Sequence, residues 1–155
     1  MPHLTRFSFG ATSAIVTSLA FIVTLSSSPQ PKASIIGSLL IFAVADNIAD
    51  SLGIHVFQES DLKSVETVNA STLSNFATRL ALIAVFIAMV YALPIAFAVA
   101  TSVAWGVTIL TALSYLIARE QGARATTAIA QHLAVAALVI AASLILRQMI
   151  TTQFT

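Results

Sequence analysis

Charged side chains are scarce in this sequence, and the shortage limits the kinds of fold it can adopt. Only 8% of the 155 residues are Asp, Glu, Lys or Arg, whereas about a quarter are charged in an ordinary soluble domain. Hydrophobic residues make up 58% of the chain, and the mean hydropathy is +0.96. Too little polar material remains to cover a soluble surface. The composition therefore predicts an integral membrane protein whose main partner is the lipid bilayer.

Cysteine is absent, which excludes disulfides, thiolate metal sites and cysteine nucleophiles. The net charge of +1 supplies no basic stripe, so we expect no nucleic-acid binding. The sequence also lacks a phosphate-binding loop, a dinucleotide fingerprint, a nucleophile elbow and a metalloprotease helix. We therefore expect neither an enzyme nor a resident cofactor. A metal site would have to use oxygen, imidazole or thioether ligands.

The sequence contains long apolar runs rich in Ala, Leu and Ile. A membrane barrel would instead need short segments in which apolar and polar residues alternate. The long runs predict an all-α polytopic fold, a single transmembrane domain over residues 1–155 with about five helices, each near the length that spans a bilayer. The stretch from Gln58 to Asn75 is polar and is expected to be a loop or short helical extension. The predicted helices cover about 9–25, 33–57, 76–93, 95–117 and 125–149.

The first apolar run has an alternative interpretation as a signal peptide, because it follows Arg6 and ends in small residues. A second apolar run begins within a few residues of its end, which favours a helical hairpin. Positively charged residues near the ends of spans are retained in the cytoplasm, and their distribution predicts a cytoplasmic N-terminus. The two groups are Arg6, Lys63, Arg79, Arg119 and Arg124 on one side, and Lys32 and Arg147 on the other. The compact chain, with no organelle-targeting extension, predicts a bacterial inner (cell) membrane.

The second predicted helix contains acidic residues within an apolar run. A carboxylate in the middle of a membrane costs at least about 2.5 kcal/mol, so Asp46 and Asp50 require a cation, a shared proton or a water-filled path. At about 100° per residue, Asn47 and Gln58 lie on the same face as these two aspartates. Carboxylate and amide oxygens suit hard divalent cations, which predicts a metal site at Asp46, Asn47, Asp50 and Gln58. The alternative is that the aspartates bond to hydroxyls of the first helix and hold the bundle together.

Two segments resemble the vacuolar iron transporter family. The opening stretch Arg6–Thr17, RFSFGATSAIVT, is similar to the start of that family's first helix, where a Gly-Ala-Thr/Ser-Asp-Gly pattern occurs. The stretch Ala45–Gly53, ADNIADSLG, is similar to the family's acidic second-helix motif. The resemblance covers nearly the whole chain. It implies a homodimer whose first and second helices line a path for Fe²⁺ or Mn²⁺, exchanged for protons.

The sequence departs from this family at several ligand positions. Ser13 stands at the family's first-helix Asp, while Ile54 and Gln58 replace a Met and an acidic or amide residue; only Asp50 keeps a matching acidic position. The cytoplasmic metal-binding insertion of some members is also missing. Two hypotheses follow: a transporter of divalent metal cations coupled to protons, or a non-transporting membrane scaffold that keeps the fold without the metal site.

Overall fold

The computed structural model describes residues 3–60 and 65–154, with side chains at positions 8, 10–57 and 68–153. This part of the chain is helical throughout, apart from short turns, and contains no strand. A π-helical turn, Phe42–Asp46, joins the second and third helices into one continuous rod. The helices are α1 (His3–Leu25), α2 (Pro31–Ile41), α3 (Asn47–Ser60), α4 (Val65–Ala92), α5 (Ile95–Glu120) and α6 (Ala125–Phe154).

Four segments of the described chain are long and apolar enough to cross a bilayer. They are 31–57, 68–92, 95–120 and 125–153, while the apolar part of α1, Gly10–Leu25, is shorter. Large apolar side chains are exposed on the outside of the bundle, including Phe97, Leu138 and Ile145, as expected of surfaces that face lipid. The all-helical fold and the membrane-protein class predicted from composition are confirmed.

The start of α4 differs from the sequence expectation. The polar stretch Gln58–Asn75 is predicted to form a loop or a short helical extension before a helix at about 76–93; its residues 65–75 are helical and form the start of α4, which begins at Val65. Ser71 and Asn75 are buried, with 1% and 0% of their surface exposed. Their polarity therefore reflects contacts inside the bundle rather than exposure to water, and this moves Arg79 from the end of a span to the interior of a long helix.

Helix α1 is the central element of the bundle, because α2, α4, α5 and α6 all pack on it. Its side chains Ala14, Ile15 and Ile22 are completely buried. Gly106 permits the close approach of α5, since a Cβ atom there would lie 2.7 Å from Leu19 Cδ1. The packing of α1 thus depends on small residues, as is common between membrane helices.

Polar contacts tie several helix ends together at one end of the bundle. Lys32 Nζ donates to the carbonyl of Tyr91 at 3.0 Å, and Arg147 Nη1 donates to Ser27 Oγ at 2.9 Å. These contacts join the α1–α2 turn and the start of α2 to the last turn of α4 and the C-terminal part of α6. The α5–α6 connection, where Gly122 adopts a φ of 64°, lies at the other end.

Replacing Gly106 with Ala should destabilise the protein by about 1–3 kcal/mol, the usual cost of overpacking a core. The added methyl group would overlap Leu19, which is almost fully buried and has little space to move. Gly37→Ala is the matched control, because no atom of a neighbouring residue lies within 4 Å of the position its methyl group would take. Thermal unfolding in detergent measures both; equal melting temperatures for the two variants would contradict the close α1–α5 contact.

Candidate ion-binding site in the helix bundle

Arg79 is the most deeply buried charged residue that the structure describes. None of its surface is exposed, although an arginine side chain stays protonated in proteins. It extends from the middle of α4 toward α1 and α3. A permanent charge in such a place is expensive unless opposite charges and hydrogen bonds surround it, so its neighbours define the site.

Two aspartates of the α2–α3 rod bind the guanidinium. Nη1 of Arg79 lies 2.8 Å from Asp50 Oδ2, and Nη2 pairs with Asp46 Oδ2. Asn75, one turn before Arg79 on α4, donates its amide to the same Oδ2 of Asp50 at 3.0 Å. We refer to Asp46, Asp50 and Arg79 as the ion cluster. It links α3 to α4 through charge-assisted hydrogen bonds, which are stronger than neutral ones.

Helix α1 and the π-helical turn complete the surroundings of Arg79. Ser13 Oγ accepts a hydrogen bond from Nη1 at 3.3 Å, and the Phe42 ring lies 5.3 Å from the guanidinium carbon, a cation–π distance. Gly10 permits α1 to approach, because a Cβ atom there would lie 1.9 Å from Asn75 Oδ1 and 3.0 Å from Arg79 Cγ. A larger residue at position 10 would therefore displace the cluster.

The structure brings some of the sequence-predicted ligands together and separates others. Asp46 and Asp50 share one face and one partner, Arg79. Asn47 points toward α4, where its amide donates to the Phe76 carbonyl at 3.1 Å; its Oδ1 is buried and has no hydrogen-bond partner among the described residues. The side chain of Gln58 lies outside those residues. Ser13, at the position where the resembled family has an Asp, contacts Arg79 instead of completing an acidic set.

The ion cluster is not balanced in charge. With both carboxylates ionised, two negative charges face one positive charge, which leaves one negative charge in excess. The other described Lys, Arg and Glu side chains are near helix ends, among them Lys32, Arg119 and Arg147. Inside an apolar bundle an uncompensated charge attracts a cation or a proton strongly.

The cluster is open on one side. The Asp46 side chain is 54% exposed, against 21% for Asp50. Asp46 lines a cavity of about 410 Å³ between α1 and the α2–α3 rod, which also has the hydroxyls of Ser13, Thr17 and Ser38 in its wall. The side chain of Asp46 is therefore not enclosed by the described part of the bundle.

Among the side chains that the structure describes, no group of three or more His, Asp or Glu residues is arranged to hold a metal ion. The acidic donors of the site are the two aspartates, and Arg79 already occupies them. No protein-family model, curated protein or solved structure matches the chain. Chemical interpretation of the site therefore depends on its geometry.

Sequence reasoning finds the aspartates but misses their partner. It places Arg79 among the charges that flank a span, because it expects the third helix to begin near residue 76. Two signals point to the partner: Asn75 and Arg79 are spaced one helical turn apart, and two acids within apolar helices require an opposite charge in another helix. Arg79 has long apolar sequence on its C-terminal side and an amide, Asn75, four residues before it.

Replacing Arg79 with Met should lower the free energy of unfolding by about 3 kcal/mol, the lower end of the range for breaking a buried ion pair, because Asp46 is partly exposed. Two carboxylates would lose their partner. The neutral combination Arg79→Met, Asp46→Asn, Asp50→Asn should recover most of that loss. Denaturant unfolding in detergent measures the free energy of unfolding of the single and the triple variant, with the exposed Arg119→Met as control. Equal losses for Arg79→Met and Arg119→Met would refute the assignment of Arg79 as the buried partner of the two aspartates.

Proposed function

We propose that this protein is a proton-coupled secondary transporter of divalent metal cations, with the ion cluster as its coupling site. The observation that carries the proposal is that two aspartates share one arginine, together with the exposure of Asp46 to a cavity. Such a site binds one positive charge, either a proton or part of a metal ion's charge. Competition between the two for the same carboxylates is the basis of exchange.

The cavity beside Asp46 supports a cation rather than an anion as the substrate. Its polar wall offers hydroxyl and carboxylate oxygens, which are ligands for hard divalent cations. Two further oxygens within α3, Asn47 Oδ1 and Ser51 Oγ, are buried and have no hydrogen-bond partner among the described residues. Fe²⁺ and Mn²⁺ as substrates come from the resemblance to vacuolar iron transporters.

Arg79 acts in this proposal as an internal cation. When no metal is bound, the guanidinium neutralises part of the acidic charge through both aspartates. A divalent cation that binds Asp46 and Asp50 has to displace one or both of these contacts, which frees Arg79 to move toward Ser13 or Asn75 Oδ1. Because Arg79 belongs to α4 and the aspartates to the α2–α3 rod, exchange of partners changes the packing of two elements. This is the kind of rearrangement that alternating access requires.

The proposed topology has about five membrane spans, namely the four long apolar segments and the shorter α1. It places the N-terminus in the cytoplasm. Arg119 and Arg124, at the α5–α6 connection, lie at the end that this topology places inside, and Lys32 and Arg147 lie at the opposite end. Arg79 is not counted among the positive charges that flank the spans, because it is buried within α4. A bacterial inner membrane and a homodimer complete the proposal.

Asp50→Asn should abolish metal-driven proton movement while the protein remains folded. Neutralising Asp50 leaves a balanced pair of Asp46 and Arg79, which has no excess charge to attract a proton or a metal ion. Reconstituted proteoliposomes containing calcein for Mn²⁺ and pyranine for internal pH report both fluxes. The expected result is a signal equal to that of protein-free liposomes.

Glu120→Gln is the matched control, because Glu120 is an exposed acid at the end of α5 and lies outside the cluster. It should transport as the unmodified protein does. Mn²⁺ flux in the Asp50→Asn variant at the level of the Glu120→Gln variant would remove Asp50 from the mechanism. Mn²⁺ flux without proton movement in the unmodified protein would refute the coupling.

A non-transporting membrane scaffold is the second candidate, and one observation favours it. Every ionised group of the cluster already has a partner: Arg79 binds both aspartates, and Asn75 binds Asp50. Such a cluster is sufficient to hold α1, α3 and α4 in register without any ligand. The protein would then serve assembly with itself or with another membrane protein.

Metal-linked stabilisation separates the two candidates. A ligand present at 100 times its dissociation constant stabilises the folded state by about 2.7 kcal/mol. A transporter should therefore melt at a higher temperature in at least one of Mn²⁺, Fe²⁺, Co²⁺, Zn²⁺ and Mg²⁺, and the shift should vanish in Asp46→Asn. Identical melting curves in all five ions would favour the scaffold.

A further inference from the structure

A second polar cavity lies at the opposite side of α1 from Asp46, between the start of α1, the end of α5 and the start of α6. Its volume is about 620 Å³, and neither the ion cluster nor the cavity beside it shares any of its lining residues. We refer to it as the α5–α6 cleft. Its polar lining includes Thr12, Gln121, Arg124, Thr127, Gln131 and His132.

The charge of the α5–α6 cleft is positive. Arg124 lines it and makes no ion pair or side-chain hydrogen bond to any described residue. No acidic residue occurs in the described lining; Glu120 is close in sequence but is not part of the wall. The remaining polar groups are hydroxyls, amides and the imidazole of His132, which donate or accept hydrogen bonds. The one charged side chain in the described lining is Arg124, and it favours an anion over a cation.

His132 is held in one orientation by a buried serine. Ser114 Oγ lies 2.6 Å from the carbonyl of Leu110 and 2.7 Å from His132 Nδ1. The hydroxyl has a single proton, and the short contact to Leu110 uses it, so the oxygen accepts from Nδ1–H. The ring is thereby fixed with Nε2 as the hydrogen-bond acceptor, which has no partner among the described residues.

We propose that the α5–α6 cleft binds a phosphate group that carries an ionisable O–H, either free inorganic phosphate or the phosphomonoester headgroup of phosphatidic acid. Arg124 would bind two of the phosphate oxygens, the geometry for which a guanidinium is suited. The bound form is the monoanion, which keeps one O–H and which for a monoester predominates below about pH 6. That O–H donates to Nε2 of His132, whereas a phosphodiester has no such proton to offer.

The location of the cleft is consistent with both sources of phosphate. It lies at the end of the bundle that carries Arg119 and Arg124, which the proposed topology places at the cytoplasmic surface of the bilayer. Its volume accommodates a phosphate group together with the glycerol of a lipid headgroup. This site is separate from the ion cluster, so the proposal stands or falls independently of transport.

The test measures melting temperatures of the purified full chain in two arms. In the first, protein in detergent is titrated with sodium phosphate, against sodium chloride of equal ionic strength. In the second, protein is placed in phosphatidylcholine nanodiscs that contain phosphatidic acid or, for comparison, phosphatidylglycerol. Stabilisation in the first arm identifies free phosphate as a ligand, and stabilisation by phosphatidic acid alone identifies the lipid headgroup.

Arg124→Gln should weaken the apparent affinity about tenfold or more, the loss expected for a hydrogen bond to a charged group. Arg119→Gln is the matched control, because Arg119 is exposed at the same end of the bundle but does not line the cleft. His132→Asn retains a donor to Ser114 while removing Nε2, and should also lose binding. Both variants should melt as the unmodified protein does when no phosphate is present.

Three results would overturn the proposal. The first is no stabilisation in either arm. The second is an equal loss of affinity in Arg119→Gln and Arg124→Gln, which would indicate nonspecific attraction to a basic surface. The third is stabilisation by phosphatidylglycerol equal to that by phosphatidic acid, since the site would then not use the proton of a monoester.

Discussion

The burial of one guanidinium is the constraint on which this structure depends. Arg79 carries a permanent charge with no exposure to solvent, and the cost of that burial is offset only if acids and acceptors converge on it from other helices. Asp46 and Asp50 converge from the α2–α3 rod and Ser13 from α1. These contacts fix the relative positions of three helices, together with the close van der Waals packing that small residues such as Gly10 and Gly106 allow.

The ion cluster that holds the helices together contains two acidic side chains and one basic side chain. A cluster that served stability alone would be balanced, because each unpaired charge in an apolar bundle is costly. Here the second aspartate breaks the balance, and it is the exposed one, Asp46, that faces a hydroxyl-lined cavity. Within the site, Asn75 holds Asp50, Asp50 binds Arg79, and Asp46 is the more exposed of the two aspartates.

Composition and hydropathy are sufficient to predict a helical membrane protein, and the cost of an intramembrane carboxylate is sufficient to single out Asp46 and Asp50. Their partner, Arg79, is not predicted from the sequence for a specific reason. The polar stretch around Ser71 and Asn75 resembles a solvent-exposed loop in composition, yet it is helical and these two side chains are buried in α4, and that shifts Arg79 to mid-helix. One sequence does not distinguish a polar segment that faces water from one that faces other polar groups inside a bundle.

In the proposed transport mechanism, the surroundings of the two aspartates set the order in which a cation meets them. Asp46 would be reached first, because its side chain is more than half exposed and is held by Arg79, whereas Asp50 is less exposed and is held by both Arg79 and Asn75. The π-helical turn ends at Asp46; such turns break the regular hydrogen bonding of a helix and commonly occur at functional positions. A shift of that turn during transport would move Asp46 relative to Arg79, and a cation bound at Asp46 would thereby act on the packing of α4.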